Sequence, residues 1–260
     1  MTGGTPGSPP ESATSGVAAL AELIREAESV VALTGAGVSV PSGIPDFRTP
    51  GKGLWEKVDP MEVAHIDAFH RDTKRFWEFY RPRFADLGSK KPNRAHGVLA
   101  ELEARGMLEA VVTQNVDRLH AKAGSERVIE VHGSIASSSC TTCHTSYPLE
   151  RVGELFDEDG VATCGCCMGK VKPDVVLFGE LLPEAAIAEA QALCAAADLL
   201  LCIGSSLEVY PVAGLPELTL SSGGRLAILT RSATPYDGEA AVRMRGDVVD
   251  ELSALLAALD

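Results

Sequence analysis

Apolar side chains recur at helical spacing over residues 17 to 28, and Val30 to Leu33 is an unbroken apolar run that stops at Thr34-Gly35. The pattern predicts an amphipathic helix feeding a buried strand. The same alternation continues along the chain. Asn93 to Arg105 reads as a helix closed by Gly106, followed by a strand from Leu108 to Thr113 and a third from Val128 to Val131. Further on, Asp174 to Phe178, Leu199 to Ile203 and Leu226 to Leu229 read as strands, Glu184 to Ala196 as an alanine-rich helix, and Val248 to Leu259 as a closing helix.

Apolar strands alternating with amphipathic helices imply an α/β fold, a Rossmann-like parallel sheet with helices on both faces, because crossover connections place helices there. Two stretches break the alternation. Residues 49–92 read as a helical insert and residues 137–172, short of core residues, as a zinc-ribbon module. The sheet domain is then expected from 17–48, 93–136 and 173–260. Residues 1–16, mostly Gly, Pro, Ser and Thr, lack the apolar surface that would offset the entropy of ordering and read as a flexible tail.

The cysteines change this picture most. Cys140 and Cys143, then twenty residues, then Cys164 and Cys167 form two C-x-x-C pairs. Each pair bends two thiolates toward one point, the spacing of a tetrahedral zinc site. Four thiolates leave no open position, so the ion is expected to be structural; disulfides or iron are the alternatives. Cys166 lies inside the second pair without altering its spacing. Cys194 and Cys202 sit in apolar runs and read as packing residues.

Net charge is −13, which opposes direct binding to nucleic acid. No apolar run reaches the roughly 18 residues of a membrane helix, and no basic-then-apolar leader opens the chain, so a cytoplasmic protein is expected.

Candidate chemistry gathers where strands end, the edge at which such sheets bind ligands. The turn Gly35-Ala36-Gly37 follows the first strand as in a dinucleotide site, its amides expected to point at a pyrophosphate, although Val40 stands where the full fingerprint has its third glycine. Thr113-Gln114-Asn115-Val116-Asp117 ends the second long strand; a helix cap is the plainer reading of Asp117 alone. His132-Gly133 follows the third strand, and the glycine is expected to leave the imidazole accessible. His132 is suited to general base work near neutrality, whereas His65, His96 and His120 read as structural.

Together with Gly43-Ile44-Pro45-Asp46-Phe47-Arg48, Phe178-Gly179-Glu180 and Gly204-Ser205-Ser206, these motifs occur in an order that strongly resembles the sirtuin family across residues 17 to 258. The resemblance implies an NAD-dependent protein-lysine deacylase that consumes NAD as co-substrate and acts on acylated lysine-containing proteins or peptides. It implies that Gly35, Ala36, Gly37, Ser39, Asp46, Phe47, Arg48, Gln114, Asn115 and Asp117 surround the cofactor, with Asn115 and His132 catalytic. It places Gly204, Ser205, Ser206 and Thr230 against the adenosine half, and the Gly246-Asp247-Val248 backbone at adenine. A peptide strand is implied between Val176-Phe178-Gly179 and Glu208-Val209, its acyl-lysine passing Phe47, Val176 and Phe178.

Three departures stand out. Thr230 and Arg231 replace a common asparagine, Lys172 a frequent arginine and Met168 a frequent glycine. Tyr80-x-x-Arg83 resembles a motif of sirtuins that prefer succinyl or malonyl groups, but Pro82 and Thr49-Pro50 do not fit that subgroup, so acetyl is the expected acyl group. A dehydrogenase would have no use for the cysteine module. A mono-ADP-ribosyltransferase differs only in which nucleophile captures the ribose. A non-catalytic zinc-ribbon module leaves the polar strand ends unexplained.

Overall fold

The computed structural model describes residues 11–45 and 59–260. In chain order the elements are α1 (Glu11–Glu26), β1 (Val30–Thr34), α2 (Pro60–Val63), α3 (Ile66–Arg71), α4 (Thr73–Ser89), α5 (Arg94–Ala104), β2 (Ala110–Thr113), α6 (Leu119–Ala123) and β3 (Val128–Glu130). There follow β4 (Gly133–Cys140), β5 (Ser146–Pro148), α7 (Leu149–Val152), β6 (Val171–Val175), α8 (Glu184–Ala196), β7 (Leu199–Ile203), α9 (Leu215–Ser221), β8 (Arg225–Leu229), β9 (Ala240–Met244) and α10 (Val248–Leu259).

Six strands form one parallel sheet in the order β3-β2-β1-β7-β8-β9. Every residue of β1 and β7 is buried, because each strand packs helices on both faces. Val30 and Ala32 join the core beneath α1, α5 and α10, whereas Val31 and Leu33 face the core beneath α8 and α9. The chain leaves β1 toward β2 on one side and lies against β7 on the other. That reversal of strand order opens a crevice at the carboxyl ends of β1 and β7.

A second, antiparallel sheet, β5-β4-β6, packs on α3 and α4. Phe69, Phe76, Trp77, Phe84, Ile135, Val171 and Leu177 form their shared aromatic and aliphatic core, and Trp77 Nε1 donates to the Val171 carbonyl at 3.2 Å. No helix among the described residues is long and apolar enough to cross a membrane.

The elements depart from the expected pattern at several places. Helix α1 begins at Glu11, inside the stretch read as tail: once residues 17 to 26 are helical, each added residue gains one hydrogen bond for one residue fixed and the costly nucleation step is not repeated. The strand expected at Asp174 to Phe178 is instead β6, at Val171–Val175, in the small sheet. The glycine turn after β1 leads into two short 3-10 turns, Ala36–Val38 and Val40–Ser42. Strand β9 was not expected at all.

Candidate active site

At the crevice, the turn after β1 interlocks with the turn after β7. Gly35 N–H donates to Ile203 O at 3.0 Å and Gly37 N–H to Gly204 O at 2.8 Å. A Cβ at Gly37 would fall 2.7 Å from Gly204 Cα, and Gly204 itself has φ +62 with its would-be Cβ 2.4 Å from Val38 N. The glycines are therefore required where two backbones cross. Val38 N–H and Ser39 N–H also donate within the turn, so these four amides are directed into the protein. The amides of Gly35 and Gly37 are thus engaged inside the protein, whereas Ala36 N–H is not among the bonded donors of the described residues, and the turn can approach a ligand by its shape.

Behind the turn lies a buried polar network. Ser39 Oγ donates to Asp117 Oδ2 at 2.6 Å, while Asn115 Nδ2 donates to Ser39 Oγ at 3.1 Å and to Gly35 O at 3.0 Å. Asp117 also accepts from Leu119 N–H at 2.9 Å, so it ties down the first residue of α6 and holds Ser39 at once. The hydroxyls of Thr34 and Thr113 meet at 2.8 Å, and the Thr113 hydroxyl accepts the Asn115 amide at 3.1 Å. Two histidines read as structural complete the network. His96 Nε2 is 3.4 Å from Ser39 Oγ, His120 Nε2 is 2.9 Å from Thr34 Oγ1, and the rings meet edge to face with centroids 4.9 Å apart. Burial pushes His96 down to about 4, opposed by Asp117, and His120 down to about 3, assisted by His96. Their sequence signal was only a polar residue on an apolar helix face.

His132 emerges between β3 and β4, half-buried. Its Nδ1 lies 3.0 Å from the Gln114 carbonyl. A carbonyl only accepts, so Nδ1 carries the proton and Nε2 keeps the lone pair. Burial lowers the pKa of this imidazole, partly offset by that hydrogen bond, which favours the neutral form that a base requires. Gln114 is fixed from its other end, its Nε2 donating to Ser205 Oγ at 2.9 Å. Gly133 has a role other than exposing the ring: it has φ +72, and a Cβ there would strike Asp174 O at 2.1 Å where β4 crosses β6.

Beside His132, the segment 176–180 is strapped in place. Val176 N–H donates to His132 O at 2.8 Å, Phe178 N–H to Ala64 O at 2.8 Å, and Ile66 N–H to Phe178 O at 2.9 Å. Val176 is half-buried, and Phe178 and Gly179 are exposed. On the other side, Ser205 is buried, Ser206 and Val209 are half-buried and Glu208 is exposed. Farther along the sheet edge, Arg231 pairs with Asp247 at 2.7 Å, Asp247 caps α10 by accepting from Val249 N–H, Val248 opens that helix, and Thr230 N–H donates to Met244 O. Ala36 opens the first 3-10 turn. Asp46, Phe47 and Arg48 lie outside the described residues. Tyr80 and Arg83 are engaged within α4: Tyr80 stacks on Phe84 and packs on Phe76, and Arg83 donates to Phe79 O with its guanidinium 3.6 Å above the Phe79 ring.

The four cysteine sulfurs of residues 140, 143, 164 and 167 all lie within 4.8 Å of one another. Cys140 and Cys167 are 3.5 Å apart, Cys143 and Cys164 3.6 Å. A disulfide requires about 2.05 Å, whereas zinc–sulfur bonds of about 2.3 Å in a tetrahedron put the sulfurs about 3.8 Å apart. The thiols fit one zinc ion and are unpaired. The two knuckles match: His144 N–H donates to Cys140 O and Met168 N–H to Cys164 O, and both residues adopt positive φ, 59 and 62.

A model of the Sir2 family matches residues 35–211. The NAD-dependent protein deacetylase of Thermotoga maritima is 43% identical over 229 residues, 88% of this chain and 92% of that one. A solved complex of Sir2 with a p53 peptide and NAD+ superposes with TM-score 0.86 at 40% identity, covering 92% of this chain and 96% of the other. A Sir2 variant with a deacetylated p53 peptide and 3'-O-acetyl ADP ribose gives TM-score 0.87 at 41% identity, over the same shares.

Proposed function

The chain belongs to the Sir2 family, and from that premise we propose how its residues carry out NAD-dependent removal of acyl groups, foremost acetyl, from protein lysine side chains. NAD supplies the ribose that accepts the acyl group as nicotinamide departs, giving O-acyl-ADP-ribose and free lysine. It is consumed, and no redox change occurs. The zinc is structural, since all four of its positions are filled by thiolates.

The observation that carries this reading is the hydrogen bond from His132 Nδ1 to Gln114 O at the edge of the parallel sheet. It fixes the tautomer and aims Nε2 away from the peptide backbone, so His132 takes a ribose hydroxyl proton. Its lowered pKa keeps it unprotonated at neutral pH. Asn115 and Asp117, held by Ser39, receive the carboxamide end of the cofactor, and Gln114 a ribose hydroxyl. Gly35, Ala36 and Gly37 line the turn beside the diphosphate. Gly204, Ser205, Ser206, Thr230, Asp247 and Val248 take the adenosine half, and the family resemblance assigns Asp46, Phe47 and Arg48 to the cofactor as well. The acylated peptide lies as an added strand between Val176-Phe178-Gly179 and Glu208-Val209. Orientation of the acyl oxygen toward the ribose by these walls contributes several kcal/mol.

The engagement of Tyr80 and Arg83 inside α4 supports acetyl over succinyl or malonyl. Unpaired, closely set thiols support a reducing, cytoplasmic setting, and the charge of −13 supports protein rather than nucleic acid as direct partner. The test is mass spectrometry of acetyl, succinyl and malonyl peptides incubated with NAD. Deacetylated peptide and O-acetyl-ADP-ribose in equal amounts are expected. ADP-ribose attached to protein without deacylation would favour the transferase reading instead.

A further inference from the structure

We propose that Lys172 is a positioning residue for the acyl-peptide, acting through Glu180 on the strand edge that receives it; this rests on the peptide placement above. Lys172 stands in β6 opposite Ser139, with its side chain only 15% exposed. An ammonium has three donors, and three acceptors meet it: Pro173 O at 3.0 Å, Val175 O at 2.8 Å and Glu180 Oε2 at 3.0 Å. The same Glu180 oxygen accepts from Leu177 N–H at 2.8 Å. The ion pair thereby closes a loop over residues 173 to 180, tying down two carbonyls and one amide of the segment that also carries Val176 and Phe178.

A half-buried ion pair is a poor source of net stability, since an apolar pair of similar volume does as well. Its effect is on geometry. Strand addition needs an edge already in register, and an edge that must be ordered on binding loses affinity. Gly179 shows how little slack exists: it has φ +87, and a Cβ there would lie 2.8 Å from His65 Nε2. Without Lys172 the carbonyls of Pro173 and Val175 lose its donors, Glu180 is no longer held over Leu177 N–H, and the edge relaxes. The cofactor loops at 35 to 39 and 114 to 117 make no hydrogen bond to either member of the pair among the described contacts.

Steady-state kinetics of Lys172→Met, Glu180→Gln and Lys172→Arg in the full chain test this. Lys172→Met is expected to raise KM for an acetyl-peptide about tenfold or more while KM for NAD stays within about twofold, and Lys172→Arg, which keeps the charge, to recover peptide KM to within about threefold of the parent. Glu180→Gln, which keeps an oxygen for Leu177 N–H, should show the same split more weakly and carries the test if Lys172→Met fails to fold. Unchanged peptide KM, equal rises in both KM values, or failure of arginine to rescue a folded enzyme would overturn the inference. In those cases the active parent leaves the function standing. A parent without peptide-dependent NAD turnover would overturn both.

Discussion

Acid should weaken this protein from behind its cofactor loop. His120 is 2% exposed; among the described residues its Nδ1 has no partner, and its Nε2 meets the Thr34 hydroxyl, which also bonds Thr113. Burial holds it down to about 3, and holds neighbouring His96 down to about 4. In the unfolded chain each titrates near its ordinary value of about 6.5. Below that pH the unfolded state binds protons that the folded state refuses, so stability is fully present above about pH 6.5 and is lost as pH falls toward the two depressed values. Each histidine contributes up to about 1.4 kcal/mol per pH unit, so the pair contributes up to about 3 kcal/mol per unit. Across about two units that is comparable with the whole stability of a typical domain, about 5–15 kcal/mol. Urea midpoints of the parent and of His120→Phe at about pH 7.5, 6 and 5 read this directly. Phenylalanine keeps the edge contact with His96 and leaves the Thr34–Thr113 bond intact, so a cost at neutral pH but a shallower slope than the parent's is expected, the remainder coming from His96 and His132. Protonation of the zinc thiolates weakens both proteins alike, so the difference in slope is the diagnostic quantity. Parallel curves would refute the assignment of the acid lability to these rings.

Three further outcomes are expected. His132→Ala should lower deacetylation about 10²–10⁴-fold, and in the parent the acid limb of kcat/KM should fall below about pH 6.5, since a base loses activity as pH drops through its lowered pKa; near-normal turnover of the variant, or an inflection above neutrality, would contradict this. Met168→Gly relieves a side chain at φ 62 that is 76% exposed and packs little, so thermal unfolding should shift upward by the equivalent of about 1 kcal/mol; a lower Tm would show that Met168 has a packing role. Chelation should release one zinc per chain and expose Trp77, whose core is shared with the cysteine-bearing sheet; unaltered Trp77 burial and activity after complete metal loss would exclude a structural ion.

What could be read from sequence followed physical range. Strands β1 and β7, covered on both faces, announce themselves as unbroken apolar runs, and the C-x-x-C spacing is local enough to define a site without coordinates. The run Val175 to Phe178 misled because an apolar run marks burial without saying in which sheet. Strand β9 was hidden by Arg243, a charge inside a strand, whose guanidinium spends its donors on the carbonyls of Thr230, Ser232 and Met244 and on Asp237. The glycines of the first turn were legible as a motif but not in their reason, because Gly204 is remote in sequence. His96 and His120 enter the site only through the packing of α5 and α6, a tertiary fact with no local pattern.

Residue 132 faces two ways: its ring is tethered to Gln114, and its own carbonyl holds Val176. Any redesign for bulkier acyl chains that shifts the main chain at 176 to 178 will tug on the His132 imidazole, while side-chain exchanges on an unmoved main chain will not. Selectivity in this enzyme should therefore be open to change by point substitution and resistant to loop grafting.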